Sequence, residues 1–231
     1  MAYGRTLEEV DTRKFVQKEE TDYGAMAEII SEPEFLLKKF FIIKDKNLSL
    51  KSEKEHVLFV EEGKIRFNGQ NLTSSSVILV PENTSLLLNA QEDSTIYYFA
   101  GSNGKINELV ITTTSDVRDK YWGKIETIFS NEIFAAKRIE LLPEKPGSLE
   151  YHLHKKEAYF VHAGKVRVGV RVGRAENKSL NLEPSQAFLI NQGTMHCRYG
   201  TEPSVIIEIS TKDDDADSHL VEDGSKGYMH L

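Results

Sequence analysis

The chain has 231 residues, of which 39% are hydrophobic and 28% are charged, and its formal net charge is −7. This length suffices for one large domain or for two of roughly 100–120 residues, and either arrangement can bury a core. The acidic balance argues against binding to nucleic acid or to an anionic membrane surface, since both require a basic patch. We therefore expect a small molecule as the binding partner.

Nothing in the sequence predicts a membrane span or secretion. The apolar runs are short, as in Phe40 to Ile43, whereas a spanning helix needs about 20 apolar residues in succession. Charged residues occupy the N-terminus, where a signal peptide requires an apolar segment. Cys197 is the only cysteine, so no internal disulfide can form. These features predict a cytoplasmic protein.

Strand signals begin after a polar N-terminal extension, residues 1–30, in which we expect one helical turn over residues 21–30. From Phe35 onward, short apolar or alternating runs are separated by turn residues. Closely spaced short strands of this kind are typical of an all-β sandwich or barrel. The turn signal at Ser102–Lys105 marks a connection, and a second set of such runs follows as far as Ile209.

The two sets of strands repeat one another. His56–Phe67 aligns with Glu157–Val168 at an offset of 101, and Val77–Thr84 aligns with Ala187–Thr194 at an offset of 110. The nine-residue difference falls in a longer hairpin at Gly169–Asn177, as expected because insertions concentrate in surface turns. The predicted boundaries are a first domain at residues 31–105, a second at residues 106–224 with an exposed acidic loop at Asp213–Asp217, and a tail at residues 225–231.

Four residues of the second repeat form a candidate metal site. Residues i and i+2 of a strand face the same side, so His152 and His154 can present both imidazoles inward. Glu157 opens the next strand, and His196 follows a turn at Gly193. Three imidazoles and one carboxylate suit zinc, manganese, iron or nickel. We therefore predict one divalent transition metal bound by His152, His154, Glu157 and His196.

The same residues carry a resemblance to a known superfamily. The segment Gly147–Glu157, followed by six residues and Gly164, resembles the first motif of the cupins. The segment Gln192–Cys197 resembles the end of the second cupin motif. The resemblance implies that both repeats fold as jelly-roll β-barrels, so that the chain is a bicupin of two tandem barrels.

Residues 120–224 resemble, more narrowly, the C-terminal cupin of type II phosphomannose isomerases. The matching features include Trp122-Gly123, Lys137-Arg138-Ile139 and the two cupin motifs. The resemblance implies a metal-dependent isomerase of a sugar phosphate. One departure is that the arginine usual in that family after the acidic run has no counterpart between Lys212 and Leu231.

The first barrel lacks the ligand set. The repeat offsets place Lys51, Glu53, His56 and Leu86 at the positions of the four predicted ligands. A lysine and a leucine cannot replace two imidazoles. We therefore predict that this barrel is structural, either covering the second barrel or forming an oligomer interface, and that His56 is a turn or core residue.

Four further residues are candidates for catalysis or substrate binding. Arg198 lies two residues after His196 and shares its face, where a guanidinium can bind an anion as a fork. Lys137 either reaches a phosphate or hydroxyl from the barrel interior or extends to water at the barrel mouth. Tyr159 either lines the pocket or packs in the core. Glu208 is a candidate general base whose direction is undecided, because its strand is apolar on both faces.

These observations leave three functions open. The first is a metal-dependent isomerase or epimerase of a small sugar or sugar phosphate, with Glu208 and Lys137 in catalysis and Arg198 and Tyr159 in substrate binding. The second is a non-haem metal oxygenase or lyase, and the third is a non-catalytic, metal-stabilised binding protein. Because Glu157–Ala163 is apolar on both faces, it must pack against another surface, either the other barrel or a second subunit. We also expect a homodimer.

Overall fold

The computed structural model describes residues 10–102, 105–171 and 177–226. Strands make up most of these residues, and the prediction of an all-β chain is confirmed. No helix within these ranges is long and apolar enough to cross a membrane.

The strands of the first half are β1 (Lys14–Phe15), β2 (Glu19–Thr21), β3 (Gly24–Ser31), β4 (Phe35–Ile42), β5 (Asn47–Ser52), β6 (His56–Glu62), β7 (Ile65–Phe67), β8 (Gln70–Leu72), β9 (Ser76–Val80), β10 (Thr84–Ala90), β11 (Ser94–Gly101) and β12 (Val110–Thr113). Those of the second half are β13 (Ser115–Lys120), β14 (Gly123–Ser130), β15 (Phe134–Leu141), β16 (Leu149–Tyr151), β17 (Glu157–Ala163), β18 (Val166–Arg171), β19 (Lys178–Leu182), β20 (Gln186–Ile190), β21 (Met195–Gly200), β22 (Ser204–Thr211) and β23 (His219–Glu222). Two 3₁₀ turns, at Asp215–Asp217 and Gly224–Lys226, complete the second half.

The described residues divide into two compact units by their contacts. The N-terminal unit comprises residues 16–115 and 127–136, and the C-terminal unit comprises residues up to 15, residues 116–126 and residues from 137 onward. The units therefore take short segments from both halves of the chain. The domain boundaries predicted from the sequence, residues 31–105 and 106–224, instead divide the chain between its two sequence repeats. They remain predictions.

The sheets show that the repeat seen in the sequence is a structural repeat. One seven-stranded sheet has the order β12-β9-β6-β11-β4-β3-β2, and the other has the order β1-β20-β17-β22-β15-β14-β13. The two orders match strand for strand, with β1 at the edge position that β12 holds in the first sheet. A smaller sheet accompanies each, with the orders β5-β10-β7-β8 and β19-β18-β21-β16-β23.

The N-terminal extension is more ordered than the sequence indicates. The helical turn predicted over residues 21–30 is wrong, because Gly24–Ser31 forms strand β3, antiparallel to β4. Ala25, Ile29 and Ile30 are buried there, so pairing and burial outweigh the local helical preference. Further upstream, the Thr12 hydroxyl donates to the Leu189 carbonyl at 2.6 Å and accepts from its N–H at 2.9 Å, which ties the segment to the edge of β20.

Each unit has a core of aliphatic and aromatic side chains from facing strands. In the C-terminal unit, Tyr159 and Val161 of β17 pack with Phe188 and with Val168 of β18. In the N-terminal unit, the corresponding cluster includes Leu58 and Val60 of β6. The inward residues of β17 continue at its start with Glu157, so the same face that builds the core also carries a carboxylate.

Candidate metal centre and its cavity

Strand pairing brings together the first two candidate ligands. Glu150 of β16 lies directly opposite His196 of β21, and such cross-strand neighbours have Cβ atoms about 5 Å apart. His152 follows Glu150 by two residues and faces the same side. One ligand atom from each of Glu150, His152 and His196 lies within 4.8 Å of the others. These three side chains therefore form the nucleus of a metal site.

Both histidines are held in the same tautomer. The Nδ1 atom of His152 lies 3.0 Å from the carbonyl of Asp217, and that of His196 lies 3.0 Å from the carbonyl of Thr194. A carbonyl only accepts hydrogen bonds, so Nδ1 is the protonated nitrogen in each ring. Each Nε2 then carries the lone pair that a metal requires, and the backbone bonds fix the orientation of the rings.

Glu157 completes the cluster from the neighbouring sheet. Its side chain is buried, and its Oε1 lies 2.7 Å from Nε2 of His196. That nitrogen is buried yet has no well-directed hydrogen bond, as expected of an atom whose lone pair is free for a metal. The Tyr159 hydroxyl donates to the same Oε1 at 2.9 Å. The donor set of two Nε2 atoms and two carboxylates thus fits a divalent transition metal.

The structure does not place His154 with these ligands. Strand β16 ends at Tyr151, and the side chain of His154 is exposed. The reason is that the Asp217 carboxylate accepts the backbone N–H groups of Leu153, His154 and Lys155 at 2.9–3.0 Å, which turns the chain and ends the two-residue alternation. The inward pair is Glu150 and His152, two residues earlier than the sequence suggests.

Lys155 enters the space next to Glu157. Its ammonium nitrogen lies 2.6 Å from Glu157 Oε2, 3.2 Å from Asp213 Oδ1 and 3.5 Å from Glu208 Oε1. Burial alone would lower the pKa of Lys155, but the three carboxylates raise it well above its ordinary value. Burial likewise opposes ionisation of Glu157, yet the Lys155 ammonium holds its pKa well below the usual range. Lys155 is therefore charged and leaves Oε1 of Glu157 facing the histidine.

A cavity of about 430 Å³ lies in front of these residues, within the C-terminal unit. This volume is in the range of small-molecule sites. The lining consists mainly of charged and aromatic side chains: Arg118, Lys120, Tyr121, Trp122, Ile125, Lys137, Ser148, Glu150, His152, Lys155, Arg198, Glu208, Asp213, Asp214, Asp215 and Ser218.

Three of the four further candidates lie on this cavity. Glu208 faces it and is 2% exposed, which resolves the direction that the sequence leaves undecided. Lys137 lines it with its ammonium 2.6 Å from Asp213 Oδ2 and 3.9 Å from Glu208 Oε1. The Arg198 guanidinium lies 4.7 Å from the ring centre of Trp122, and nearby charges raise its pKa against the effect of burial.

Tyr159 lies behind the cavity and is absent from its lining. Its side chain is completely buried, and its hydroxyl accepts a hydrogen bond from Arg198 Nη1 at 3.0 Å while donating to Glu157. Through these two hydrogen bonds Tyr159 connects Glu157, a candidate ligand, with Arg198. Its neighbour on the adjacent strand is Glu208. The arrangement fits a positioning residue better than a substrate contact.

Sequence reasoning missed Glu150, Lys155, Asp213 and Asp217. Asp213–Asp217 was expected to be an exposed loop, but Asp217 is 8% exposed and Asp213 pairs with Lys137 and Lys155. Burial raises the pKa of Asp217, and the three N–H donors outweigh it and lower the pKa. One of them could have been found from the sequence. Glu150 precedes His152 by two residues and so shares its face in a strand, but the pair His152 and His154 has the same spacing and was chosen instead.

The first barrel shows no comparable group. Among the described residues, the only cluster of three potential ligands is the one in the C-terminal unit. His56 is completely buried and stacks on Tyr98 with ring centres 4.6 Å apart. Its Nδ1 donates to the Lys54 carbonyl at 3.1 Å, and burial lowers its pKa. This placement is that of a core histidine, as expected, and Leu86 is buried in the same core cluster as Leu58.

Comparison with known proteins identifies a family for the half of the chain that holds the cluster. The family model described as mannose-6-phosphate isomerase C-terminal matches residues 107–223, about half of the chain, and this range contains all four clustered ligands. No curated protein matches the chain in sequence.

The solved structures that resemble the chain include oxalate decarboxylases. A Bacillus subtilis oxalate decarboxylase studied for its Mn(II) centres has a TM-score of 0.72 and 12% identity, covering 91% of this chain and 78% of that one. Another oxalate decarboxylase structure, concerned with proton-coupled electron transfer, has a TM-score of 0.71 and 13% identity, covering 87% and 77%. Identity this low shows the fold alone. The shared fold, together with the matching family model, confirms the prediction of a bicupin.

Proposed function

The chain belongs to the mannose-6-phosphate isomerase C-terminal family, and we propose that it is a metal-dependent isomerase or epimerase of a small sugar or sugar phosphate. One observation carries the proposal. A buried carboxylate that is not a candidate ligand, Glu208, faces the same cavity as Glu150 and His152. A site that moves a proton beside a carbonyl needs both an electrophile and a separate base.

The proposed metal is held by Glu150, His152, Glu157 and His196, and zinc, manganese, iron and nickel all suit these donors. When bound, a divalent metal supplies Lewis-acid stabilisation of a substrate carbonyl and the hydroxyl beside it. The protein's own contribution is to orient the two imidazoles through the Asp217 and Thr194 carbonyls. Tyr159 and Lys155 orient the two oxygens of Glu157.

Glu208 is the proposed base. In aldose–ketose isomerisation, its carboxylate takes the proton from the carbon next to the carbonyl, and the C–H electron pair forms the double bond of an enediolate. The proton of the neighbouring hydroxyl moves to the former carbonyl oxygen, and the same carboxylate returns its proton to the former carbonyl carbon, so the reaction needs no oxidant or reductant. In an epimerisation, the proton returns to the opposite face of its original carbon.

Two lysines lie beside the base. The Lys155 and Lys137 ammonium groups lie 3.5 Å and 3.9 Å from Glu208 Oε1. Both also pair with Asp213, so neither is free to move toward water. Their fixed positive charge supports an anionic enediolate in the cavity.

The substrate is held, in this proposal, by the aromatic and guanidinium groups of the cavity wall. Tyr121 offers an exposed ring to a sugar, and Arg198, which lies over the buried Trp122 ring, offers planar N–H donors to hydroxyl oxygens. Tyr159 fixes the guanidinium from behind at 3.0 Å, so Arg198 is pre-oriented before the substrate arrives.

A lyase or oxygenase is the second candidate. The observation in its favour is the fold shared with oxalate decarboxylases, one of them studied for its Mn(II) centres. A two-histidine, two-carboxylate site also suits redox-active manganese or iron. The two candidates differ in their dependence on oxygen and in the bond that breaks: a lyase cleaves C–C, whereas an isomerase exchanges one C–H proton.

Deuterium exchange tests the proposal. Metal-loaded protein is incubated without oxygen in D₂O with a panel of sugars and sugar phosphates, and NMR follows the carbon next to the carbonyl. We expect deuterium there, and a loss of at least about 100-fold in rate for Glu208→Gln. Glu202→Gln is the matched control, because Glu202 is exposed and away from the cavity lining. No exchange with any substrate, together with decarboxylation or O₂ uptake with a small organic acid, would favour the second candidate.

A further inference from the structure

Three of the five cations that line the cavity form close ion pairs with nearby carboxylates. Arg118 forms ion pairs with Asp116 and, at 3.5 Å, with Asp215. Lys137 and Lys155 share Asp213, as described above.

Arg198 is engaged only in part, and its buried Nε has no hydrogen-bond partner among the described residues. Its Nη1 lies 3.0 Å from the Tyr159 hydroxyl and 3.8 Å from Glu150 Oε1, while its guanidinium plane lies against Trp122. Within the described part of the chain, Lys120 is the one lining cation without an ion-pair partner, and it is exposed at the end of β13. A dianionic phosphate would therefore have to compete with protein carboxylates for Arg118, Lys137 and Lys155.

The formal charges of the site point the same way. Five cationic side chains and five carboxylates line the cavity, and buried Glu157 adds a sixth carboxylate. With both ligand histidines neutral, a divalent metal leaves the group with one positive charge. An enediolate carries one negative charge and would balance it, whereas a phosphate adds about −1.5 to −2 more.

We propose that the substrate is an uncharged sugar, an aldose or ketose without a phosphate group. This inference rests on the proposed function and narrows it. The cavity supplies what a neutral polyol requires: paired side chains whose remaining donors and acceptors face hydroxyl groups, with the exposed Tyr121 ring as apolar surface. It lacks a group of spare cations to offset the desolvation of a phosphate.

Binding of non-reacting sugar alcohols tests the substrate class separately from the reaction. Metal-loaded protein is titrated calorimetrically with pentitols and hexitols and with the terminal phosphates of the same alditols, which have no carbonyl and cannot isomerise. We expect at least one free alditol to bind tenfold or more tightly than its phosphate, a difference of about 1.4 kcal/mol. Equal or tighter binding of the phosphates, or binding of neither class, would overturn the inference.

Exchange in D₂O then distinguishes the two proposals. Exchange into free aldoses that is at least tenfold faster than into their phosphates supports both. Selective binding of free alditols without any exchange would leave the substrate class standing and overturn the isomerase reaction. Faster exchange into the phosphates would support the isomerase reaction and overturn the inference that the substrate is uncharged.

A pair of charge variants tests the physical reason. Asp215→Asn releases Arg118 from one carboxylate, whereas Asp214→Asn removes the same charge from the lining without freeing a cation. We expect Asp215→Asn to tighten binding of an alditol phosphate by several-fold more than Asp214→Asn does. Equal effects of the two variants would show that ion pairing of Arg118 does not exclude the phosphate.

Discussion

Asp217 holds His152 through its backbone carbonyl, which accepts the Nδ1–H of the imidazole at 3.0 Å. The carboxylate of the same residue accepts three successive N–H groups, those of residues 153–155. One aspartate thus orients a candidate ligand and also forms the turn that carries His154 away from the site and Lys155 into it. The acidic run is therefore part of the support of the metal centre.

Asp217→Asn is expected to weaken metal binding by about 10- to 100-fold, the usual effect of removing support behind a ligand. An amide offers one acceptor oxygen, and its NH₂ group would face backbone N–H donors. Competition with a chelator of known affinity measures the change. Asp214→Asn is the control, because the Asp214 side chain is exposed and its carboxylate oxygen accepts the Ala216 N–H, a bond that the amide oxygen of asparagine can keep. Equal metal affinities of the two variants would contradict this role for Asp217.

Lys155→Met is expected to destabilise the metal-free protein by about 3–5 kcal/mol, because it leaves Glu157, Glu208 and Asp213 without their shared cation. The metal-loaded variant should lose less, since the metal partly compensates Glu157. Denaturant unfolding of both forms measures the difference. Lys165→Met, at the turn after β17 and exposed, serves as the control. The prediction fails if both lysine variants unfold at the same denaturant concentration.

His56 predicts a pH dependence in the N-terminal unit. Burial lowers its pKa below the ordinary value of 6.5, so the folded state favours the neutral ring. As the pH falls below 6.5, the unfolded chain takes up the proton first, and stability is lost down to the folded pKa. Above pH 6.5 the residue contributes no pH dependence.

His56→Phe keeps an aromatic ring against Tyr98 and removes the titration. Between pH 7 and 5, the unfolding free energy of the native protein should therefore fall more steeply than that of the variant, by at most about 1.4 kcal/mol per pH unit. Parallel curves for the two proteins would show that His56 does not titrate differently on folding.

The fold could be predicted from the sequence because two signals reinforced one another. Alternating apolar runs indicated strands, and the repeat of His56–Phe67 at Glu157–Val168 indicated two equivalent domains. The position of β1 at the edge of the second large sheet could not be predicted. Its pairing with β20 depends on contacts such as that between Thr12 and Leu189, which are far apart in the chain. The same lack of long-range information made residues 21–30 look helical.

The site was predictable only in part. Glu157 and His196 were identified by residue type and spacing, and the structure brings both to the cluster. The strand alternation used for His152 and His154 is valid only while the strand continues, and β16 ends at Tyr151. The end of that strand is caused by Asp217, more than 60 residues later, so no local pattern reveals it.

Metal content of single-ligand variants tests the central claim most directly. The native protein, purified in the presence of manganese or zinc, should contain about one metal ion per chain by mass spectrometric elemental analysis. His152→Ala and Glu150→Gln should lose most of this metal, whereas His154→Ala should retain it, because the His154 side chain is exposed. Loss of the metal in His154→Ala, with full occupancy in Glu150→Gln, would contradict the ligand set described here.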